Sequence, residues 1–167
     1  MLSTYNVAVH RGRAFEGRRT VTYRVELGSA KLPVVTTDGN KEVVERVLHA
    51  LVQDDAPAMR PLVADDVLWW VPASASRRFG LARPLQGWDD ISWLGGDGWK
   101  GFEPGSSVLT IHHLVAEGDL VSAHYQRSAT RVGGAAYDAE YNILFRLADG
   151  LIVEVWEIAD TATAFGT

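Results

Sequence analysis

The stretch FRLADGLIVEVWEIAD, residues 145–160, decides the fold. Asp149-Gly150 separates two runs rich in branched and aromatic residues. Asp-Gly in that setting signals a two-residue hairpin, because both turn positions need positive φ. In the second strand, period-two alternation puts Leu151, Val153 and Val155 on one face, and Glu157 continues their stripe. A carboxylate ending an apolar stripe has two readings. It is the wet end of a strand, bonding a nearby Arg, or it is set into a pocket. In a pocket burial disfavours its charged form, the way a general acid/base is tuned.

Working back from that hairpin, SVLTIHHLVA, LVSAHYQRSAT and AAYDAEYNILFRL read as further strands, divided by Glu117-Gly118-Asp119 and Gly133-Gly134. Upstream the period changes to helical. Val43, Val44, Val47, Leu48, Leu51 and Val52 recur at helical spacing, with Asp38 or Asn40 available as N-cap. Asp55 and Pro57 open a second short helix reaching about Leu62. VLWWVP is an apolar strand stopped by Pro72, residues 73–86 read as a loop, Gly87 precedes a short helix in WDDISWL, and residues 95–107 read as a long loop. Helices first and an antiparallel meander last predict an α+β fold, with helices on the concave face of a curved antiparallel sheet. Residues 1–36 stand apart. Thr4 to His10 and Arg19 to Leu27 are β-rich and joined by RGRAFEG, which predicts a hairpin arm and linker before a domain spanning 37–167.

Composition narrows the function classes. At 167 residues the chain is one domain with an appended arm, and it lacks cysteine, which excludes thiol chemistry and Cys-based metal sites. Sixteen basic residues against twenty-one acidic ones argue against nucleic-acid binding. Val67 to Pro72, among the longest apolar runs, is too short to span a bilayer, and MLSTYNVAVHRGR lacks the apolar core of an export signal, so a cytoplasmic protein without membrane contact is expected.

The order of elements resembles the SnoaL-like and ketosteroid-isomerase-like group of the nuclear-transport-factor-2-like superfamily. The first amphipathic helix, VADDVLWWVP, QGWDDI and above all FRLADGLIVEVWEIAD carry the likeness, over about residues 40–160. It implies a cone-shaped sheet whose concave face and helices enclose one apolar pocket. The same scaffold hosts isomerases, cyclases, dehydratases, epoxide hydrolases and binding modules.

In the epoxide-hydrolase branch, as aligned, a catalytic carboxylate falls at Glu157, and an Arg and an Asp of the same trio fall at His124 and Gln126. The resemblance therefore pairs His124 with Glu157 across the pocket as catalytic residues, for proton abstraction beside a carbonyl or activation of water. The strand's own alternation leaves open that Val121, Ala123 and Tyr125 face inward instead. The hydrolases' Tyr and Asn fall at Trp69 and Val71, and the ketosteroid-isomerase Asp falls near Ile143, so neither known set is intact. His112 and His113 are adjacent and on a regular strand point to opposite faces, which puts one in the pocket. His112 joins Trp69, Gln126 and Tyr141 as substrate-binding candidates: Trp69 as an aromatic wall, Gln126 and Tyr141 to orient the ligand. Three histidines on two strands lack a metal-ligand spacing, so no metal or other cofactor is expected.

Two functions remain open. One is a cofactor-independent acid/base enzyme acting on an apolar polycyclic or polyketide-like molecule, by cyclisation, isomerisation, dehydration or epoxide opening. The other is a non-catalytic binding or dimerisation module. A buried His124–Glu157 pair favours the first; placement of the two on opposite faces favours the second. A homodimer is expected through Val121, Tyr125, Trp156 and Ile158 on the convex face.

Overall fold

The structure, a computed structural model, describes residues 37–95 and 101–165. The expected hairpin arm over 1–36 and part of the expected 95–107 loop lie outside the described residues.

The first helix, α1 (Thr37–Val52), buries Val44, Val47 and Leu48 along one side, as their spacing requires. Asn40 is not its cap. It is buried in the first turn, and its Nδ2 donates to the Gly118 carbonyl at 3.1 Å, tying the helix start to a distant strand turn. Asp55 does cap α2 (Ala56–Met59), its carboxylate accepting from the Ala58 N–H at 3.0 Å, with Pro57 in the first turn. A 3₁₀ turn over Arg60–Leu62 leads into β1 (Val63–Trp70), which starts earlier than its apolar run because Asp65 and Asp66 occupy an exposed stretch of the strand. Residues 73–86 are not all loop. ASASRRF is rich in helix formers and makes α3 (Ala73–Phe79), followed by the two-residue strand β2 (Leu85–Gln86) and α4 (Gly87–Ile91).

The meander follows as expected: β3 (Val108–Glu117), β4 (Leu120–Thr130), β5 (Ala136–Ala148) and β6 (Leu151–Ala159), then α5 (Thr161–Phe165). The six strands lie in the order β2-β1-β6-β5-β4-β3. The sheet is mixed rather than wholly antiparallel, since β1 and β6 run parallel. The other pairings are antiparallel. The first and last long strands meet without a hairpin between them, so no tight turn forces them into opposite directions.

Two backbone details locate the site. Asp149 and Gly150 both take positive φ, at 51° and 78°, which is the turn that DG predicts and sets the β5–β6 register. Two breaks in register then alter which side chains face inward. On β6, Ile152 and Val155 are both buried, so the inward stripe is Ile152, Val155 and Glu157, while Leu151 turns outward. On β3, a bulge between Ile111 and His113 has the corresponding effect on the histidines.

The core lies between α1 and the inner sheet face, where Trp69 meets Phe145 edge-on at 6.4 Å among fully buried Val47, Leu48, Ile143 and Ile152. Among the described residues no helix is long and apolar enough to cross a membrane.

Candidate active site

Glu157 projects from β6 into a pocket walled by Trp69, Val71, Tyr125, Tyr141, Trp93 and Leu94. The pocket contains about 620 Å³ of non-atom space, open solvent at its mouth included. The aromatic side chains in the wall of this slot suit a ring compound. Trp69 reaches the carboxyl from β1, where it is the strand partner of Val155, and its Nε1–H donates to Glu157 Oε2 at 3.1 Å. Burial among these side chains raises the Glu157 pKa from the usual 4.5 to about 7, and the indole hydrogen bond only partly offsets that rise. Near neutral pH this carboxyl is present in both forms, which is the condition for moving a proton either way.

Three tyrosines continue the wall. Tyr125 on β4 stacks on Tyr141 of β5 with centroids 5.0 Å apart, and the Tyr141 and Tyr137 hydroxyls bond each other. Burial pushes all three hydroxyls above their ordinary range, so they serve as neutral hydrogen-bonding groups.

Arg127, the next inward residue of β4 after Tyr125, brings a buried positive charge to the same pocket. Its Nη2 donates to Ser107 Oγ at 2.9 Å and to Asp54 at 3.3 Å, and the guanidinium lies 4.4 Å over the Phe102 ring. Burial pushes the Asp54 carboxyl up, against the opposing pull of Arg127.

The candidates read from the sequence separate into two groups. Glu157, Trp69 and Tyr141 meet in the pocket. His124, Gln126 and His112 do not. On β4 it is Val121, Ala123, Tyr125 and Arg127 that turn inward, because their apolar stripe continues the core, and the alternation sends His124 and Gln126 to the outer face. There His124 Nε2 sits 3.0 Å from Glu140 and Gln126 Nε2 donates to Asp138 at 2.6 Å. The His124–Glu157 pair across the pocket does not exist. His112 and His113 are both exposed and both ring-pack on His124, since the bulge removes the alternation that would have sent one of them inward. Among the described residues no group of three or more His, Cys, Asp or Glu is arranged to hold a metal ion.

The outer face also differs from its expected form. Val121 and Tyr125 are buried on the inner side, and Trp156 is half-buried with Arg146 over its ring. Of the four residues expected there, Ile158 alone is well exposed, at 69%. Arg127, Tyr125, Tyr137 and Asp54 were not candidates from the sequence. The pattern Val121-Ala123-Tyr125-Arg127 held the signal for the first two, a small-to-aromatic stripe ending in a cation.

Comparison with known proteins agrees on the fold. The SnoaL-like domain pattern matches residues 44–155. An NTF2-like protein of unknown function from Burkholderia pseudomallei K96243 superposes with TM-score 0.65 at 21% identity, covering 77% of this chain and 95% of that one. IdmH from Streptomyces antibioticus, proposed to be a polyketide cyclase, superposes with TM-score 0.64 at 21% identity, covering 76% and 96%. TerC, co-crystallised with polyporic acid, gives TM-score 0.64 at 20% identity, covering 77% and 95%. Among curated proteins none matches the chain. At these identities the structural likeness establishes the fold alone.

Proposed function

The chain belongs to the SnoaL-like domain family, and from that premise we propose that it is a cofactor-independent acid/base enzyme acting on a flat, apolar, polyketide-like ring compound, with Glu157 as the group that moves the proton. One observation carries the reading: a carboxyl faces an aromatic slot with its ionised form disfavoured enough to titrate near pH 7. A carboxylate whose ion-pair partner outweighs its burial is driven the other way, towards ionisation. The Trp69 indole fixes one carboxyl oxygen and leaves the other to accept a proton from a carbon beside a carbonyl. Cyclisation, double-bond isomerisation and dehydration beside a carbonyl begin with such a transfer, epoxide opening would have the carboxyl take its proton from water instead, and the slot supplies orientation and a dry setting. IdmH and TerC, on the same fold, support the ring-compound class.

The experiment is proton exchange on 2-tetralone, an apolar bicyclic ketone, followed by NMR in deuterated buffer. The protein should speed loss of the proton beside the carbonyl, with a rate that rises through about pH 7 as Glu157 ionises. Glu157→Gln should retain fold and ligand affinity and lose about 100-fold or more in exchange rate. Equal rates for the two proteins would remove Glu157 from the chemistry.

The binding-module reading has its own support. His124 stands on the outer face, and the tyrosine hydroxyls are pushed away from neutral titration, so Glu157 is left without a proton-carrying partner among the described pocket residues. Ring ligands that bind with no exchange above the uncatalysed rate would make this reading the correct one.

A further inference from the structure

We propose that Arg127 makes this pocket an anion-reading site: the ligand is a flat ring compound carrying a carboxylate or acidic enol oxygen, seated against Arg127 at the opposite end of the slot from Glu157. The inference rests on the pocket proposed above and adds the charge of its ligand. Arg127 is 7% exposed, and a buried guanidinium needs acceptors for its donors. Its Nε–H has none among the described residues. Buried donors without acceptors are rare in folded proteins, so the guanidinium is under-satisfied, and Arg127 is the one cationic residue in the pocket wall among the described residues. Asp54 pairs with the guanidinium but satisfies its charge only in part. Its two contacts are long, at 3.3 and 3.4 Å, and burial disfavours its own ionised form.

Nothing else in the described wall competes for that donor. Phe102 covers one face of the guanidinium, and the Tyr137 and Tyr141 hydroxyls bond each other. Strand register fixes the distance to Glu157. Glu157 pairs with Ile143, which pairs with Ala123, whereas Arg127 pairs with Ala139. The two residues are thus two strands and two inward rows apart, roughly 16 Å between Cα atoms by strand spacing. An oxyanion held at the far end would fix the ring lengthwise and present a set carbon to Glu157.

The test compares 2-naphthoate with its neutral methyl ester by titration calorimetry near pH 6.5. The acid should bind the intact protein about ten-fold more tightly than the ester, the scale of one charge-assisted contact in a dry site. Arg127→Gln should reduce the acid to the ester's affinity and leave the ester unchanged. Asp54→Asn, which removes the competing carboxylate and keeps Arg127, should widen the acid's advantage and carries the test should Arg127→Gln fail to fold. An acid that binds no better than the ester, including binding of neither, overturns the proposal, as does a preference that survives Arg127→Gln. Glu157→Gln separates the two readings. Lost exchange without an acid preference sinks the anion site alone; a kept acid preference without exchange in any variant sinks proton transfer alone.

Discussion

At Glu157 the pull of function against stability can be measured. Its carboxyl binds a proton more tightly folded than unfolded, because burial raises its pKa from 4.5 to about 7. Between those values the folded state holds the proton and the unfolded state does not, so stability falls as pH rises. The contribution is fully present below about pH 4.5 and is lost once pH passes about 7. The shift corresponds to at most about 3 kcal/mol. Glu157→Gln keeps an acceptor for the Trp69 N–H and cannot ionise. In urea titrations the variant should match the parent near pH 4 and exceed it above pH 7.5, and parallel profiles would show that the carboxyl is solvated. The sequence exposed this residue because a single acid interrupts an apolar stripe. It misled on His124 because a histidine reads equally well on either side of a strand. The deciding fact is tertiary: α1 covers the face that carries Val121 and Ala123, and no local pattern says which face a helix will cover.

Elements were legible where turn chemistry or a strong period fixed them. Asp149-Gly150, Gly118, Asp55-Pro57 and the apolar spacing of α1 each named a structure that formed. Departures from period were not legible. The bulges in β3 and β6 each add a residue without a composition mark, and they moved His112 out of the pocket and replaced Leu151 with Ile152 in the inward stripe. The parallel β1–β6 pairing escaped for a similar reason, as it joins segments separated by most of the domain. One element boundary is specified by a single residue. Gly87 starts α4 at φ +75°, and a Cβ there would stand 3.0 Å from the Asp65 carbonyl oxygen of β1, which is backbone and cannot swing away. Gly87→Ala should therefore cost about 2–3 kcal/mol, strain and contact together. A denaturation midpoint unchanged from the parent would show that the α4–β1 junction relaxes freely.

For the molecule as a whole, the outer face of the sheet makes a prediction of assembly. Val115 and Ile158 are 65% and 69% exposed and flank His113, His124, Glu140 and Asn142 along one broad groove. Apolar side chains on either side of a hydrogen-bonding strip, on a face that no described helix covers, suit contact with another protein surface. A second copy is the occupant expected here. In a two-fold dimer the patch would meet itself, burying Ile158 and Val115 with the His124–Glu140 pairs between them. The intact chain should sediment as a dimer at micromolar concentration. Ile158→Arg, which sets two cations face to face across the axis, should yield a monomer. Because Ile158 points away from the pocket that Glu157 enters, 2-naphthoate should bind that monomer with an affinity within about three-fold of the parent. A strictly monomeric parent would remove the claim. A chain that dimerises only after deletion of residues 1–36 would instead identify that segment as what covers the face.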